Sequence, residues 1–120
     1  MELENFLYMY KARVNRVVDG DTIGVTIDHG MRVYSEQRVR ILGVDTPERG
    51  QENFKEASEF TRNKLENKEV IIQTYKDDAF GRYLANVYFQ EDNTYKNISV
   101  ELISKGLIKQ DSKWNKDLKD

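Results

Sequence analysis

The chain has 120 residues, enough for one modest hydrophobic core, and 33% of them are charged against 38% hydrophobic. It has no cysteine and a single histidine. That excludes disulfide frameworks, thiolate zinc sites, thiol nucleophiles and histidine clusters, and leaves oxygen ligands and a hard cation such as calcium or magnesium as the available metal chemistry. A formal net charge of −2 gives no global basic field to attract nucleic acid, so a polyanion site would have to be a local cationic pocket.

The opening stretch "MELENFLYMYKARV" carries two glutamates and no sustained apolar run, so it does not read as a signal peptide, and no later stretch is long enough to span a membrane. The expectation is a cytoplasmic protein as the chain stands, or a secreted one if a leader was trimmed, with no membrane contact and a monomeric state. No repeat or Pro/Gly/Ser linker divides it, so one domain over residues 1–120 is expected.

Residues 7–18, "LYMYKARVNRVV", read as a first strand, rich in tyrosine and valine. Asp19-Gly20-Asp21 is a turn signal, and "TIGVTID" (22–28) alternates as a second strand. His29-Gly30 turns the chain into "RVYSEQRVRILGV" (32–44), a third strand with a break or bulge expected near Ser35. After Pro47 the period changes. Phe54, Ala57, Phe60, Thr61 and Leu65 fall on one face of a helix over 51–66. "EVIIQTY" (69–75) and "YLANVYFQ" (83–90) are the fourth and fifth strands, joined by "KDDAFGR", with "EDNT" as the turn that follows. "NISVELISKG" (97–106) reads as a short helix ending at a glycine cap, Gly106. Residues 111–120 are expected to form a polar, flexible tail. Five short strands with a helix between the third and fourth and a C-terminal helix predict an α+β, mainly β fold: an OB-type Greek-key barrel. An SH3-like barrel with helical additions is the alternative.

Three turns carry an unusual density of chemistry: Asp19-Gly20-Asp21-Thr22, Val44-Asp45-Thr46-Pro47-Glu48, and Asp78-Ala79-Phe80-Gly81-Arg82, with Arg40 on the strand entering the second. A barrel rim gathers the ends of neighbouring strands, so these segments can meet. Asp21 and Asp45 with a backbone carbonyl can bind calcium. Glu48, beyond a rigid proline, can act as a general base on a water. Two arginines can brace a pentavalent phosphate transition state, because guanidinium forks match phosphate oxygens. Taken singly, "DGD" is a common hairpin turn and "DTPE" a plausible helix start; their coincidence on one rim is what favours a site.

The motifs "VDGDT", "RVRILGVDTPE", "DAFGR" and "LISKGL", in this order over roughly residues 8–110, resemble the staphylococcal nuclease (thermonuclease) family. The resemblance implies a calcium-dependent phosphodiesterase on an OB-type barrel. It cuts DNA and RNA, single strands most readily, and leaves 3′-phosphorylated products. By the same resemblance Asp21 and Asp45 ligate calcium through carboxylates and Thr46 through its carbonyl, and Glu48 either serves as general base through a water or positions and polarises the nucleophile. Arg40 and Arg82 hold the phosphate, and Asp19 stands beside the metal without ligating it.

The chain departs from the family pattern in three places. Ala79 and Phe80 replace a lysine and a tyrosine that contact a nucleotide phosphate, so terminal phosphate binding is expected to weaken. Ser112 and Trp114 stand where two base-contacting tyrosines are usual, and Trp114 is expected either to stack on a base or to lie in the tail. The longer C-terminal helix usual in the family is expected to be missing or reduced. His29 in a turn, and the rings of Phe54, Phe60, Tyr75, Tyr88 and Phe89, are expected to be structural. The competing function is a catalytically weak OB-type module that only binds nucleic acid or a protein; the retained Asp21, Arg40, Asp45, Glu48 and Arg82 favour the enzyme.

Overall fold

The computed structural model describes residues 2–77, of which 76 and 77 by backbone alone, and 81–109. After a 3-10 turn at Leu3–Phe6 come β1 (Met9–Asp19), β2 (Thr22–Asp28), β3 (Tyr34–Ile41), α1 (Phe54–Leu65), β4 (Glu69–Asp77), β5 (Tyr83–Glu91), β6 (Thr94–Asn97) and α2 (Ile98–Ser104). The strands lie in the order β3-β2-β1-β4-β5-β6, and a parallel pairing of β3 with β5 (Val39↔Tyr83, Arg40↔Leu84, Ile41↔Ala85) closes the first five into a barrel. This is the OB-type architecture expected, with α1 between β3 and β4. The hairpin strand β6 is an addition to it.

The core follows from alternation. Ala12, Val14 and Val17 of β1, Ile23, Val25 and Ile27 of β2, Val39 and Ile41 of β3, Val70 and Ile72 of β4, and Ala85, Val87 and Phe89 of β5 face one interior. α1 packs on β1 with Ala57, Ser58, Thr61 and Leu65 buried, and α2 packs on β5 and β6 with Ile98, Ser99 and Leu102 buried. Fully burying a side chain of the size of Ile72 or Leu102 contributes about 1.5–3 kcal/mol.

Four local expectations change. The strand irregularity lies in β1, not near Ser35. The β2–β3 register runs without a shift from Thr22↔Arg40 to Asp28↔Tyr34, whereas β1 slips against β2 between Val14 and Arg16 and again between Val17 and Asp19. The reason is visible in β1 itself, where Val14 and Val17 both face inward at a spacing that strict alternation forbids. β3 is shorter than 32–44, because Met31 and Arg32 take left-handed φ of 55° and 63° in the preceding turn, and Gly43 turns the chain away at 84°. α1 starts three residues later than expected, at Phe54, preceded by Asn53 at φ 69°. Lastly, "EDNT" is not all turn. Asp92 and Asn93, both at positive φ, form a two-residue hairpin of the type I′ kind, and Thr94 already begins β6. Asn97 then caps α2, its side chain accepting from the Ser99 N–H at 2.8 Å. Gly106, at φ 72°, ends the helix as expected: its N–H donates to Ile103 O and that of Leu107 to Leu102 O.

Candidate active site

The tight turn between β1 and β2 places the first acidic pair. Gly20 approaches the second turn segment so closely that a Cβ would lie 2.8 Å from Thr46 Oγ1 and 2.9 Å from its Cβ and Cγ2. Glycine is therefore required here by contact, not by a left-handed φ. The Thr61 hydroxyl of α1 donates to Gly20 O at 2.8 Å, and Ile41 N–H donates to Asp21 O at 2.8 Å, so α1 and β3 both brace the turn. Asp21 is buried, and its carboxylate accepts from the Thr46 N–H at 3.1 Å and from the Thr22 hydroxyl at 3.2 Å. Asp19 accepts from the Asp21 N–H at 3.2 Å. Its pKa is pushed up from the ordinary 3.8 to about 6. Burial is the main cause, followed by the side-chain hydrogen bond and the negative charge of Asp21, opposed by the Asp21 N–H and by Arg40.

β3 brings in Arg40, opposite Thr22, and the loop after it returns to meet its guanidinium. Arg40 is buried. Nη1 donates to the carbonyls of Ile41 and Val44, the latter at 2.7 Å, while Nη2 lies 3.5 Å from Asp21 Oδ2 and 3.3 Å from Asp45 Oδ1. The loop is anchored from below by Leu42, whose N–H donates to Ala85 O and whose carbonyl accepts from Ser99 Oγ at 2.6 Å. From β5's entry, half-buried Arg82 donates Nη1 to Thr22 Oγ1 at 3.1 Å. Asp21 and Arg82 therefore meet on the Thr22 hydroxyl, with Arg40 opposite it, and Asp45 and Thr46 join the cluster through Arg40 and Asp21; nothing in "DGDT" sets that hydroxyl apart from an ordinary turn residue.

Glu48 is held differently. Its side chain is 71% exposed and pairs with Lys109 Nζ at 3.3 Å, while its N–H donates to Gln51 Oε1 at 2.7 Å. Lys109 also donates its N–H to Asp45 O at 2.6 Å, a contact that nothing in the local sequence pattern signals. Phe80, Trp114 and the 111–120 tail lie outside the described residues. Arg38 is exposed on the outer face of β3. His29 hydrogen-bonds Ser35 Oγ at 2.6 Å and packs edge-on against Tyr10, a structural role as expected. Of the rings expected to pack, Phe89 is in the core and Phe60 lies against it, whereas Tyr75 is 47% exposed. No group of three or more carboxylate or imidazole side chains among the described residues converges on a metal-sized site. The carboxylates that do converge, Asp21 and Asp45, meet on one nitrogen of Arg40.

Residues 38–120 match the family described as Staphylococcal nuclease homologue. The chain belongs to this family. Among its relatives are the thermonucleases of Staphylococcus hyicus (37% identical over 74% of this chain and 54% of the relative) and Staphylococcus intermedius (36%, over 80% and 56%). An uncharacterised protein of Methanocaldococcus jannaschii is 32% identical over 81% of the chain and 57% of its own length. The chain thus spans about half the length of the relatives it matches. The staphylococcal nuclease homologue assignment and the closed barrel agree, and the clustered acids and arginines stand where strand ends of that barrel converge. No helix among the described residues is long and apolar enough to cross a membrane.

Proposed function

We propose that this chain is a calcium-dependent nuclease that hydrolyses phosphodiester bonds of DNA and RNA, preferring single strands and leaving 3′-phosphorylated products. The observation that carries this reading is the linked set Arg82–Thr22–Asp21–Arg40–Asp45, two carboxylates and two guanidinium groups delivered by four separate segments. The names of the staphylococcal relatives support it.

The donor set fits a hard divalent cation. Asp21 and Asp45 each lie within 3.5 Å of a single positive nitrogen, so their oxygens already converge on one charge. They and the Thr46 carbonyl are hard oxygen ligands of the kind calcium takes, with water completing the shell. Two carboxylates are few for a tight site, and weak binding that needs the substrate's phosphate as a further ligand is the expectation. Bound there, the ion would supply Lewis-acid neutralisation of phosphate charge.

The chain's own residues carry the remaining chemistry. Glu48 takes the proton of the attacking water. The water oxygen bonds to phosphorus, the bond from phosphorus to the 5′ oxygen breaks, and that oxygen takes a proton from solvent water and leaves as a 5′-hydroxyl, while Glu48 returns its proton to solvent. The phosphate remains on the 3′ side. Arg40 and Arg82, both adjoining Thr22, hold the equatorial oxygens as charge accumulates on them, and Arg82 assists the leaving oxygen. Asp19 adds negative charge behind Asp21 without ligating.

The test is cleavage of denatured DNA by the folded protein in calcium against chelator. Calcium-stimulated release of 3′-phosphorylated fragments is expected; its absence would return the chain to the binding-module reading. Glu48→Gln should lower turnover by orders of magnitude while oligonucleotide binding survives, and equal losses of both would assign Glu48 a structural role.

A further inference from the structure

The described chain ends by running from the Gly106 cap onto the active-site loop. Leu107 and Ile108 pack against the core, and that anchoring delivers Lys109 to a fixed place. Two of the contacts of Lys109 there, both to described residues, differ in kind. Its main-chain N–H donates to Asp45 O at 2.6 Å, and its ammonium lies 3.3 Å from Glu48 Oε1. Both partners belong to the loop on which the proposed chemistry depends, 61 residues away in sequence from Lys109 in the case of Glu48.

Glu48 needs such a partner. From Glu48 to Asn53 every residue is exposed, so no packing fixes the Glu48 side chain. A general base must hold one geometry relative to the water it deprotonates, and small misplacements are costly. The ammonium engages Oε1 and thereby orients Oε2. Because both side chains are partly in water, the pair adds little to global stability. A surface pair of this kind biases side-chain populations by up to about fivefold. That is too weak to matter for folding and large enough to read in turnover.

We infer that Lys109 is a positioning residue of the active site, its ammonium orienting the Glu48 carboxylate and its main-chain N–H fixing the loop at Asp45. This rests on the nuclease reading above.

Any substitution other than proline keeps the main-chain contact, so Lys109→Met isolates the ammonium. The experiment measures kcat and KM on a single-stranded oligonucleotide at saturating calcium, with thermal unfolding of each variant. Lys109→Met should lower kcat about threefold to fivefold with KM and Tm unchanged, and Lys109→Arg should restore most of the loss. In a Glu48→Gln background, followed over hours for its residual rate, Lys109→Met should have no further effect. An unchanged kcat in Lys109→Met overturns the inference. So does a raised KM that persists in the Glu48→Gln background, which would make Lys109 a direct phosphate contact, or a lowered Tm that accounts for the loss. Wild-type protein without calcium-stimulated cleavage would refute the nuclease reading itself, and this inference with it; active wild type with a silent Lys109→Met refutes this inference alone.

Discussion

Arg40→Met tests whether the guanidinium holds the site together as well as facing substrate. The side chains of Arg40, Asp21 and Asp45 are 10%, 11% and 21% exposed. Methionine keeps the apolar stem but removes the donor to two carbonyls and the positive charge that two carboxylates share. Removing one partner of a buried ion pair costs about 3–5 kcal/mol, because the remaining charge stays desolvated. Water reaches Asp45, which argues for the lower end, about 3 kcal/mol. For a domain of this size that corresponds to a fall in Tm of about 12 °C. The assay is urea unfolding in chelator, comparing wild type, Arg40→Met, Asp45→Asn and the double variant. Neutralising Asp45 in the Arg40→Met background should recover at least about 1 kcal/mol relative to additive behaviour, since the repulsion with Asp21 disappears. A loss below about 1 kcal/mol in Arg40→Met, or strict additivity in the double variant, would refute the reasoning.

Gly20→Ala should destabilise by about 1–3 kcal/mol, because its Cβ would sit against Thr46, and should lower cleavage more than a stability loss alone would, since it pushes the Asp21 turn away from the Asp45 loop. Unfolding and rate measurements on the same sample separate the two effects. Lys64 foremost, then Lys96, hydrogen-bonds the Glu91 carboxylate and holds its pKa below the ordinary 4.5. A carboxylate whose folded pKa is depressed contributes stability that is present above its unfolded pKa and is lost as pH falls through that value and below it. Glu91→Gln should therefore narrow the stability gap to wild type as pH falls below about 4.5, read from unfolding midpoints between pH 7 and pH 3. Cleavage should fall steeply with added salt, because with a net charge of −2 only local cations hold the polyanion, and a salt-insensitive kcat/KM would contradict this.

The strands, their order and the position of α1 are legible in the sequence because alternation and glycine- or asparagine-bearing turns bound each of them. β6 is not legible: all four of its residues are exposed or half-buried, so "TYKN" shows no alternation to detect. The meeting of "DGDT" with "DTPE" is legible as topology, since both segments leave strands at one rim. What sequence cannot give is reach. Arg38 and Arg40 look alike in an alternating run and share one face of β3, yet one is exposed and the other buried. They differ because Arg40 stands opposite Thr22 at the strand's end, where the chain folds back and offers it the Val44 carbonyl and the Asp45 carboxylate. Lys109 is hidden for the same reason, since its partners lie far away in sequence and no periodicity joins them.

Gly20 shows why the acids of the site and the fold cannot be separated. A side chain there would collide with Thr46, so the close approach that gives Asp21 Oδ2 the Thr46 N–H exists only with glycine between Asp19 and Asp21. The same approach brings Asp21 and Asp45 to one guanidinium nitrogen, at 3.5 and 3.3 Å. Two like charges are thus held close by a turn that tolerates no Cβ, by the Thr61 hydroxyl bound to its carbonyl, and by a cation from β3. A turn needed only to reverse the chain would require none of the three.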